Sequence, residues 1–339
     1  MQKKLLVLAV AGAMSAPVFA QSQVTVGGVV DVAIESAKYS DATGNLTRMV
    51  PSGNTTNRLF FKGSEDLGNG MKANFNLEGG FMTGTGVGSI SGGLFGRKAI
   101  VGLSGGWGAL DLGRNYTAMF YTIGAYDPFS YKYTGIIPTA GLDGARRNND
   151  IQYTSASMNG FTLRAEQALG EVAGNNSASR TTELALSYAN GPLNLGGGFG
   201  RMQNATNTLP TNSWTIGGGY NFNPFTVKAG YFMKKADQAG GGSVDTRNVW
   251  LGGRYQMAGA NALSLAYYDT NVDSPVAGAD GKTKLWILGF VHNLSKRTEF
   301  YADIDRKTFS GSSVLKMTAP DTRTQNSAVG LSVGINHAF

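Results

Sequence analysis

A serine and two histidines are the first candidates for chemistry in this chain. Gly102-Leu103-Ser104-Gly105-Gly106 fits the G-x-S-x-G pattern, which places a nucleophilic serine on a turn between a strand and a helix. Here the pattern falls on a turn between two strands, so the required context is missing. The only histidines, His292 and His337, fall on the apolar parity of strands near their ends. A base there cannot serve Ser104, so no catalytic residue and no enzyme activity are predicted.

Other patterns that could carry chemistry also lack their context. Residues 84–88 alternate glycine with other residues like a phosphate loop, but no strand–helix unit surrounds them. Asp303 and Asp305 could be paired carboxylates of a hydrolase, but we interpret them as lumen-lining acids that offset Arg297 and Arg306. Cysteine is absent, which removes disulfides and thiol chemistry. Because the two histidines do not converge, we expect no metal and no cofactor.

Alternating strands are the elements that would position any functional residue. In residues 328–339, bulky and mostly apolar side chains alternate with small or polar ones, and Phe339 is the final residue. Residues 298–305 alternate in the same way, with charged side chains on one face. A period of two puts the two sets on opposite faces of a strand. Such a strand fits a soluble sandwich, and it also fits a barrel whose apolar face meets lipid.

The spacing of the turns favours the barrel. Short turns, such as residues 104–108 and 294–296, alternate with long polar stretches, which include residues 38–55 and 310–323. Counting the segments predicts an all-β fold, a 16-stranded antiparallel transmembrane β-barrel. The longest gap, residues 115–146, is rich in aromatic residues, so we expect this third loop to fold inward into the lumen. Four tryptophans are predicted to anchor the membrane interfaces: Trp107, Trp214, Trp250 and Trp286.

The first twenty residues predict export. Lys3 and Lys4 precede an apolar run over residues 5–13, and small residues close the segment at Ala20. This pattern is typical of a cleaved signal peptide, residues 1–20, which leaves residues 21–339 as one barrel domain. The apolar run is too short for a spanning helix. We therefore expect the cell outer membrane as the location.

The charge balance is basic but scattered. The formal charge of +7 falls to +5 when Lys3 and Lys4 leave with the signal peptide. No long basic run or nucleic-acid module is present, so nucleic acid is not an expected partner. Anionic solutes inside, and the phosphates of lipopolysaccharide outside, are better matched to an exported basic chain.

Several segments, in order along the chain, resemble the trimeric general porins of the β-proteobacterial Gram-negative type. They are residues 24–31, 57–68, 112–117, 126–129, 149–155, 294–298 and 337–339, with Asp150 in place of the usual serine. The resemblance implies a homotrimer and a third loop that narrows the pore. It also implies that the barrel assembly machinery recognises Phe339 as an assembly signal.

The resemblance further implies a constriction in which basic wall residues face acids or carbonyls of the third loop. The wall positions that match are Arg58, either Arg97 or Lys98, and Arg146. Strand parity supports an inward orientation for Arg58, Lys98 and Arg146, and gives Lys62 and Arg164 the same orientation. The predicted constriction residues are Arg58, Lys62, Arg97, Lys98, Asp127, Asp143, Arg146 and Arg164.

Asp127 and Asp143 are the only acids of the third loop, so the narrowest point is predicted to be basic. The function predicted from these features is a water-filled channel for passive diffusion of small hydrophilic solutes, with a mild anion preference. The alternatives are a substrate-specific anion uptake channel, a plugged structural barrel and a secreted soluble β-protein.

Overall fold

The structure, a computed structural model, describes residues 23–40, 44–89, 93–133, 144–311 and 325–339. The predicted signal peptide lies outside the described residues. The strands are β1 Gln23–Tyr39, β2 Asn45–Pro51, β3 Arg58–Gly68, β4 Met71–Gly80, β5 Lys98–Gly105, β6 Gly108–Tyr116, β7 Arg146–Ser155, β8 Phe161–Ala168, β9 Thr181–Asn190, β10 Leu193–Met202, β11 Thr211–Phe222, β12 Phe225–Asp237, β13 Ser243–Gln256, β14 Asn261–Asp273, β15 Gly281–Asn293, β16 Thr298–Gly311 and β17 Ser327–Ala338. One α-helix, α1, Ala118–Tyr126, lies between β6 and β7 in this described part of the chain.

All neighbouring strands are antiparallel, and the sheet closes on itself through β1 and β17. The first half of β1 pairs with β3, from Gln23 opposite Ser64, and the second half pairs with β2, from Val32 opposite Pro51. β2 and β3 therefore share one place in the wall, interrupted over residues 52–57. Counted in this way, the wall is a closed barrel of sixteen strands, which confirms the predicted fold class.

The prediction of a loop over residues 38–55 is wrong, because this stretch contains β2. β1 is seventeen residues long and extends beyond the end of β3, so its remaining backbone groups need another partner. β2 supplies that partner, and Arg48 on β2 forms an ion pair with Glu35 on β1. The backbone pairing of an overlong neighbour thus outweighs the weak local propensity of β2.

The parity predicted for the last strand is confirmed. Leu331, Val333 and Ile335 are exposed on the outer surface, while Ser332 and Asn336 are buried on the inner side. The two histidines lie near the short-turn end on the outer face, where His292 hydrogen-bonds Asn261 at 2.7 Å and His337 hydrogen-bonds Thr298 at 2.8 Å. No helix among the described residues is long and apolar enough to cross a membrane.

The third loop folds inward, as predicted, and has an apolar core of its own inside the barrel. Buried loop residues pack against inward-facing residues of β12 to β15: the cluster is Met119, Ile123, Tyr126, Phe129, Tyr133, Phe232, Trp250, Ala266, Tyr268, Leu285 and Ile287. Gly217 and Gly230 permit this close approach, because a β-carbon at either position would overlap the ring of Tyr126 or of Trp250. The core fixes the loop against one side of the lumen.

The prediction for Trp250 is wrong. Trp250 is buried inside the barrel, where its ring stacks on Tyr126 with centroids 5.9 Å apart and its indole N–H donates to the Tyr126 carbonyl at 3.0 Å. Trp214 and Trp286 are exposed on the outer face, as expected for membrane anchors. The difference is one of parity: Trp250 shares the inward face of β13 with Asn248, whereas Leu251 faces outward.

Candidate pore constriction

Two glutamates of the barrel wall hold the N-terminus of α1. Thr117 is the N-cap, and its hydroxyl accepts a hydrogen bond from the Phe120 N–H at 3.1 Å. The next free N–H groups are satisfied from outside the loop: the Ala118 N–H donates to Glu166 at 2.6 Å and the Met119 N–H to Glu183 at 3.0 Å. Both carboxyl groups are buried, and each supplies an acceptor oxygen to an N–H group that the first turn of the helix leaves free.

This anchor leads to the first prediction. Replacing Glu166 and Glu183 together with alanine leaves two buried N–H groups unpaired, at a cost of about 1–3 kcal/mol each. We expect α1 to loosen, which would be measured as greater open-channel current noise and faster proteolysis within the third loop. The matched double glutamine variant keeps both acceptors and should stay close to wild type. Equal noise in the alanine and wild-type channels would contradict the anchoring role.

Asp127 fixes the other end of the helix and does not face the pore water. Its carboxylate is fully buried and accepts hydrogen bonds from the Tyr268 hydroxyl at 2.6 Å and from the Tyr131 N–H at 2.8 Å. Burial raises the pKa of Asp127 above its ordinary value, and these hydrogen bonds offset only part of that rise. Lys228 donates to the Asp127 carbonyl at 3.0 Å. Asp127, predicted as a constriction acid, therefore holds the third loop against the barrel wall.

Three arginines converge on Glu78 and Tyr116 on the opposite side of the lumen. Arg97 donates to Glu78 at 2.6 Å and to the Tyr116 hydroxyl at 2.6 Å, and that hydroxyl donates to Glu78 at 3.0 Å. Arg146 donates to the same hydroxyl at 2.8 Å, with its guanidinium 4.3 Å from the centroid of the Tyr116 ring. Arg58 lies 3.9 Å from Glu78. Three arginines against one glutamate give this group, the Glu78 cluster, a net charge of +2.

A second basic group lies around Tyr121, on α1. Lys98 donates to the Tyr121 hydroxyl at 3.2 Å, and the guanidinium of Arg164 lies 4.5 Å from the centroid of its ring. Asp111 is the acid that interacts electrostatically with both cations. Lys62 lies further toward the short-turn end of β3, exposed to the lumen over the Phe60 ring at 5.2 Å. The basic wall therefore extends along β3, β5, β7 and β8.

Four of the five buried acids on the inner faces of β1 and β16 have ionic or hydrogen-bond partners of their own. Glu299 pairs with Lys132 of the third loop at 2.9 Å, and Asp305 pairs with Lys307 at 3.2 Å. Asp31 accepts from the Tyr301 hydroxyl at 2.7 Å. Five acids lie on these two inner faces, and all are buried: Asp31, Glu35, Glu299, Asp303 and Asp305. Their burial limits the negative charge that these acids present to lumenal water.

Most of the predicted constriction residues come together. Arg58, Arg97 and Arg146 meet at the Glu78 cluster, and both Arg97 and Lys98 face inward although they are neighbours in sequence. Arg97 precedes β5, where the alternation does not yet apply, and it is buried. Asp143 lies outside the described residues.

Sequence reasoning missed the acids and phenols that organise these cations. Glu78, Tyr116, Tyr121, Glu166 and Glu183 were not among the predicted site residues. Strand parity could have found Glu78, since it lies on β4 directly opposite Lys98 in the register. It could not have found the partners of α1, because these depend on how the loop lies.

The predicted pairing of Asp305 with Arg306 is wrong. Asp305 faces inward, toward Lys307 and Tyr133, whereas Arg306 is exposed on the outer face. Ser104 accepts a hydrogen bond from Asn74 at 2.7 Å and has no histidine beside it among its hydrogen-bond partners in the described residues. Within those residues, no group of three or more histidine, cysteine, aspartate or glutamate side chains could hold a metal ion.

Comparison with known proteins decides what this barrel is. The sequence model of the Gram-negative porin family matches residues 7–312. The chain belongs to the Gram-negative porin family. It is 32% identical to outer membrane porin protein 32 of Delftia acidovorans and 27% identical to an outer membrane porin of Bordetella pertussis, each over the whole of both chains.

Solved structures agree with this assignment. A structure described as an anion-selective porin from Comamonas acidovorans superposes with a TM-score of 0.80 at 30% identity, covering 94% of this chain and all of the other. The trimer form of OmpT from Vibrio cholerae superposes with a TM-score of 0.71 at 16% identity, covering 94% of this chain and 99% of the other, which shows the shared fold alone. This porin is an outer-membrane channel for passive diffusion.

Proposed function

We propose that this porin passes small hydrophilic anions in preference to cations, through a basic constriction formed by Arg58, Arg97 and Arg146. The observation that carries the proposal is the net charge of +2 of the Glu78 cluster, while the acids on β1 and β16 are buried. Fixed cations in a narrow, low-dielectric neck concentrate anions and repel cations. The anion-selective description of a structural relative at 30% identity supports the same assignment.

Tyrosine contributes to the constriction by holding the cations without cancelling them. The Tyr116 hydroxyl accepts hydrogen bonds from Arg97 and Arg146, and the ring faces of Tyr116 and Tyr121 lie beside guanidinium groups. A neutral partner of this kind orients an arginine and leaves its charge available to a passing carboxylate or phosphate. Lys62, Lys98 and Arg164 extend the basic wall beyond the cluster, which favours stepwise passage along weak sites.

The assembly that we propose is a homotrimer in the outer membrane, with no chemical reaction catalysed. Phe339 would be the signal read by the barrel assembly machinery, and lipopolysaccharide would surround the outer end of the barrel. The trimer form of OmpT supports the oligomeric state by fold alone. Phe339 lies at the seam of the barrel, where it exchanges two hydrogen bonds of 3.1 Å with Gly28.

Planar-bilayer recording tests the function. In a potassium chloride gradient, we expect conductance that appears in steps of three. The reversal potential should shift toward the equilibrium potential of chloride. A reversal potential on the potassium side would overturn the anion preference but not the channel. Saturable block by one organic or inorganic anion at low concentration would favour a substrate-specific uptake channel instead. Purified trimers that conduct no current would indicate a plugged structural barrel.

A further inference from the structure

Among the five buried acids on β1 and β16, Asp303 alone has no partner within the described part of the chain. Its side chain is 6% exposed, and its Oδ2 atom is buried without a hydrogen bond there. Asp31 and Asp305, which act on it electrostatically, are acids as well. Lys132 of the third loop does not compensate it, because its ammonium contacts both oxygens of Glu299 at 2.9 Å. A buried carboxylate without a partner is costly, so a cationic group from outside the chain would stabilise this position.

Arg254 lies in the same row of the inner wall as Asp303. Arg254 on β13 lies opposite Ser264 on β14, and Ser264 lies opposite Gly289 on β15. Gly289 in turn lies opposite Asp303 on β16, and directly paired residues share one face of the sheet. The Asp303 carboxylate leans over β15, since a β-carbon on Gly289 would lie 2.5 Å from its Oδ1 atom. From Gly289 to Arg254 is two strand spacings, about 10 Å.

A cavity of about 300 Å³ lies along this row, beneath the tip of the third loop. Its volume is at the lower end of the range of small-ligand sites. Pro128 and Phe129 of the loop border it, and the next inward residues of β14 and β15, Ala266 and Ile287, belong to the apolar core of the loop. Lys228 on β12 donates to two neutral oxygens, at 2.8 and 3.0 Å, and these contacts leave its charge uncancelled. The cavity therefore has a basic end on β12 and β13, an acidic end on β16 and an apolar border.

We propose that this cavity binds a zwitterionic α-amino acid. Arg254 binds the carboxylate of the ligand, and the Ser264 hydroxyl lies between the two ends of the row. Asp303 binds the ammonium group, and the side chain of the ligand packs against Phe129. The arginine side chain spans part of the distance of about 10 Å to Asp303, so the two charged groups of the ligand must lie close together. They do so on the single α-carbon of an amino acid.

The charges of the two ends determine the class of ligand. A simple anion would satisfy Arg254 and leave Asp303 unpaired, and a simple amine would do the reverse. A ligand that carries both charges matches both ends, and each contact is a charge-assisted hydrogen bond. The site lies across the lumen from the Glu78 cluster and goes beyond the anion preference of the channel. The reversal potential reports separately on that preference, so this site can fail while the proposed function stands.

Three probes of nearly the same shape test the two charges separately. L-leucine carries both charges, 4-methylpentanoate lacks the ammonium group, and 3-methylbutylamine lacks the carboxylate. Their affinity for trimers in detergent is measured by isothermal titration calorimetry. In a planar bilayer, binding appears as brief interruptions of the current. We expect L-leucine to bind wild type with measurable affinity and about tenfold more tightly than 3-methylbutylamine, which is the effect of one hydrogen bond between charged groups.

Two variants should give mirror-image results. Asp303→Asn is expected to weaken L-leucine and 3-methylbutylamine about tenfold without weakening 4-methylpentanoate. Arg254→Gln is expected to weaken L-leucine and to leave 3-methylbutylamine as in wild type. Arg306→Gln is the matched control, because Arg306 is three positions from Asp303 on β16 but is exposed on the outer face. Heat-resistant trimers on a gel establish that each variant is assembled, and the comparison of the probes on wild type needs no variant.

Four results would overturn the proposal. The first is wild type that binds L-leucine no better than 3-methylbutylamine. The second is an L-leucine affinity that neither Asp303→Asn nor Arg254→Gln changes. The third is an equal loss in Arg306→Gln, which would be a nonspecific effect of charge. The fourth is a loss of 4-methylpentanoate affinity in Asp303→Asn as large as that of L-leucine, because the substitution would then have disturbed the cavity and not removed an ammonium partner.

Discussion

Replacing Arg58 and Arg146 with glutamine is expected to remove most of the anion preference of the channel. The Glu78 cluster then contains Arg97 and Glu78 alone, so its net charge falls from +2 to zero. A unit charge about 10 Å from a passing ion in water contributes about 0.4 kcal/mol, with opposite signs for an anion and a cation. For two charges, the permeability ratio of chloride to potassium should decrease roughly tenfold. The reversal potential in a salt gradient measures this ratio.

The dependence on salt provides an internal check of the same prediction. Screening shortens to about 3 Å at 1 M salt, so the difference between variant and wild type should nearly vanish there and be largest at 0.1 M or below. Arg201→Gln removes an outward-facing charge and should leave the ratio as in wild type. If the double variant remains as anion-selective as wild type at low salt, the constriction lies elsewhere, and Lys98 with Arg164 become the next pair to replace.

Trp250→Ala is expected to release the third loop from the barrel wall. Trp250 is 1% exposed and packs between the loop and β12, with its indole N–H bonded to the Tyr126 carbonyl at 3.0 Å. Removing a buried tryptophan costs about 3–5 kcal/mol, and here the lost contacts join the loop to the wall and not one strand to another. We therefore expect a barrel that still assembles but conducts more current with more noise, and that admits larger neutral sugars in a liposome-swelling assay.

Trp214→Ala is the control for this variant. Trp214 is 42% exposed on the outer face and stacks on Tyr231 with centroids 4.8 Å apart, so its removal affects the lipid-facing surface only. Its conductance and size limit should match those of wild type. Identical channels from Trp250→Ala and Trp214→Ala would show that the apolar core does not hold the loop in place.

Much of the wall could be predicted from the sequence because parity determines orientation in a strand. Arg58, Lys98, Arg146 and Arg164 all face inward, as the alternation of their strands predicts. The rule that inward-facing residues are polar fails where the third loop, and not water, covers the inner face of the wall. Leu285 and Ile287 face inward and are fully buried, since they pack against the third loop rather than against lipid or water. A rule that assigns polar residues to the lumen cannot anticipate such a patch.

The partners within the constriction were beyond sequence reasoning for a related reason. Asp127 could be recognised as a loop acid, but its burial depends on Tyr268, which lies 141 positions away on β14. Glu166 and Glu183 carry no local signal for capping a helix, because the N–H groups they accept from lie 48 and 64 positions earlier in the chain. These contacts arise only when the loop lies across the lumen, so they require the tertiary structure.

The closure of the barrel has a consequence for how the chain reaches its native state. β1 pairs with β17, and Asn336 donates to Asp31 at 3.1 Å although the two residues are 305 positions apart. Contacts between residues so far apart in sequence form late in folding, because a very long loop must be closed first. Until β17 arrives, β1 presents an open edge that can pair with any other strand. We therefore expect that this edge of β1 must be protected from other strands until the end of the chain arrives.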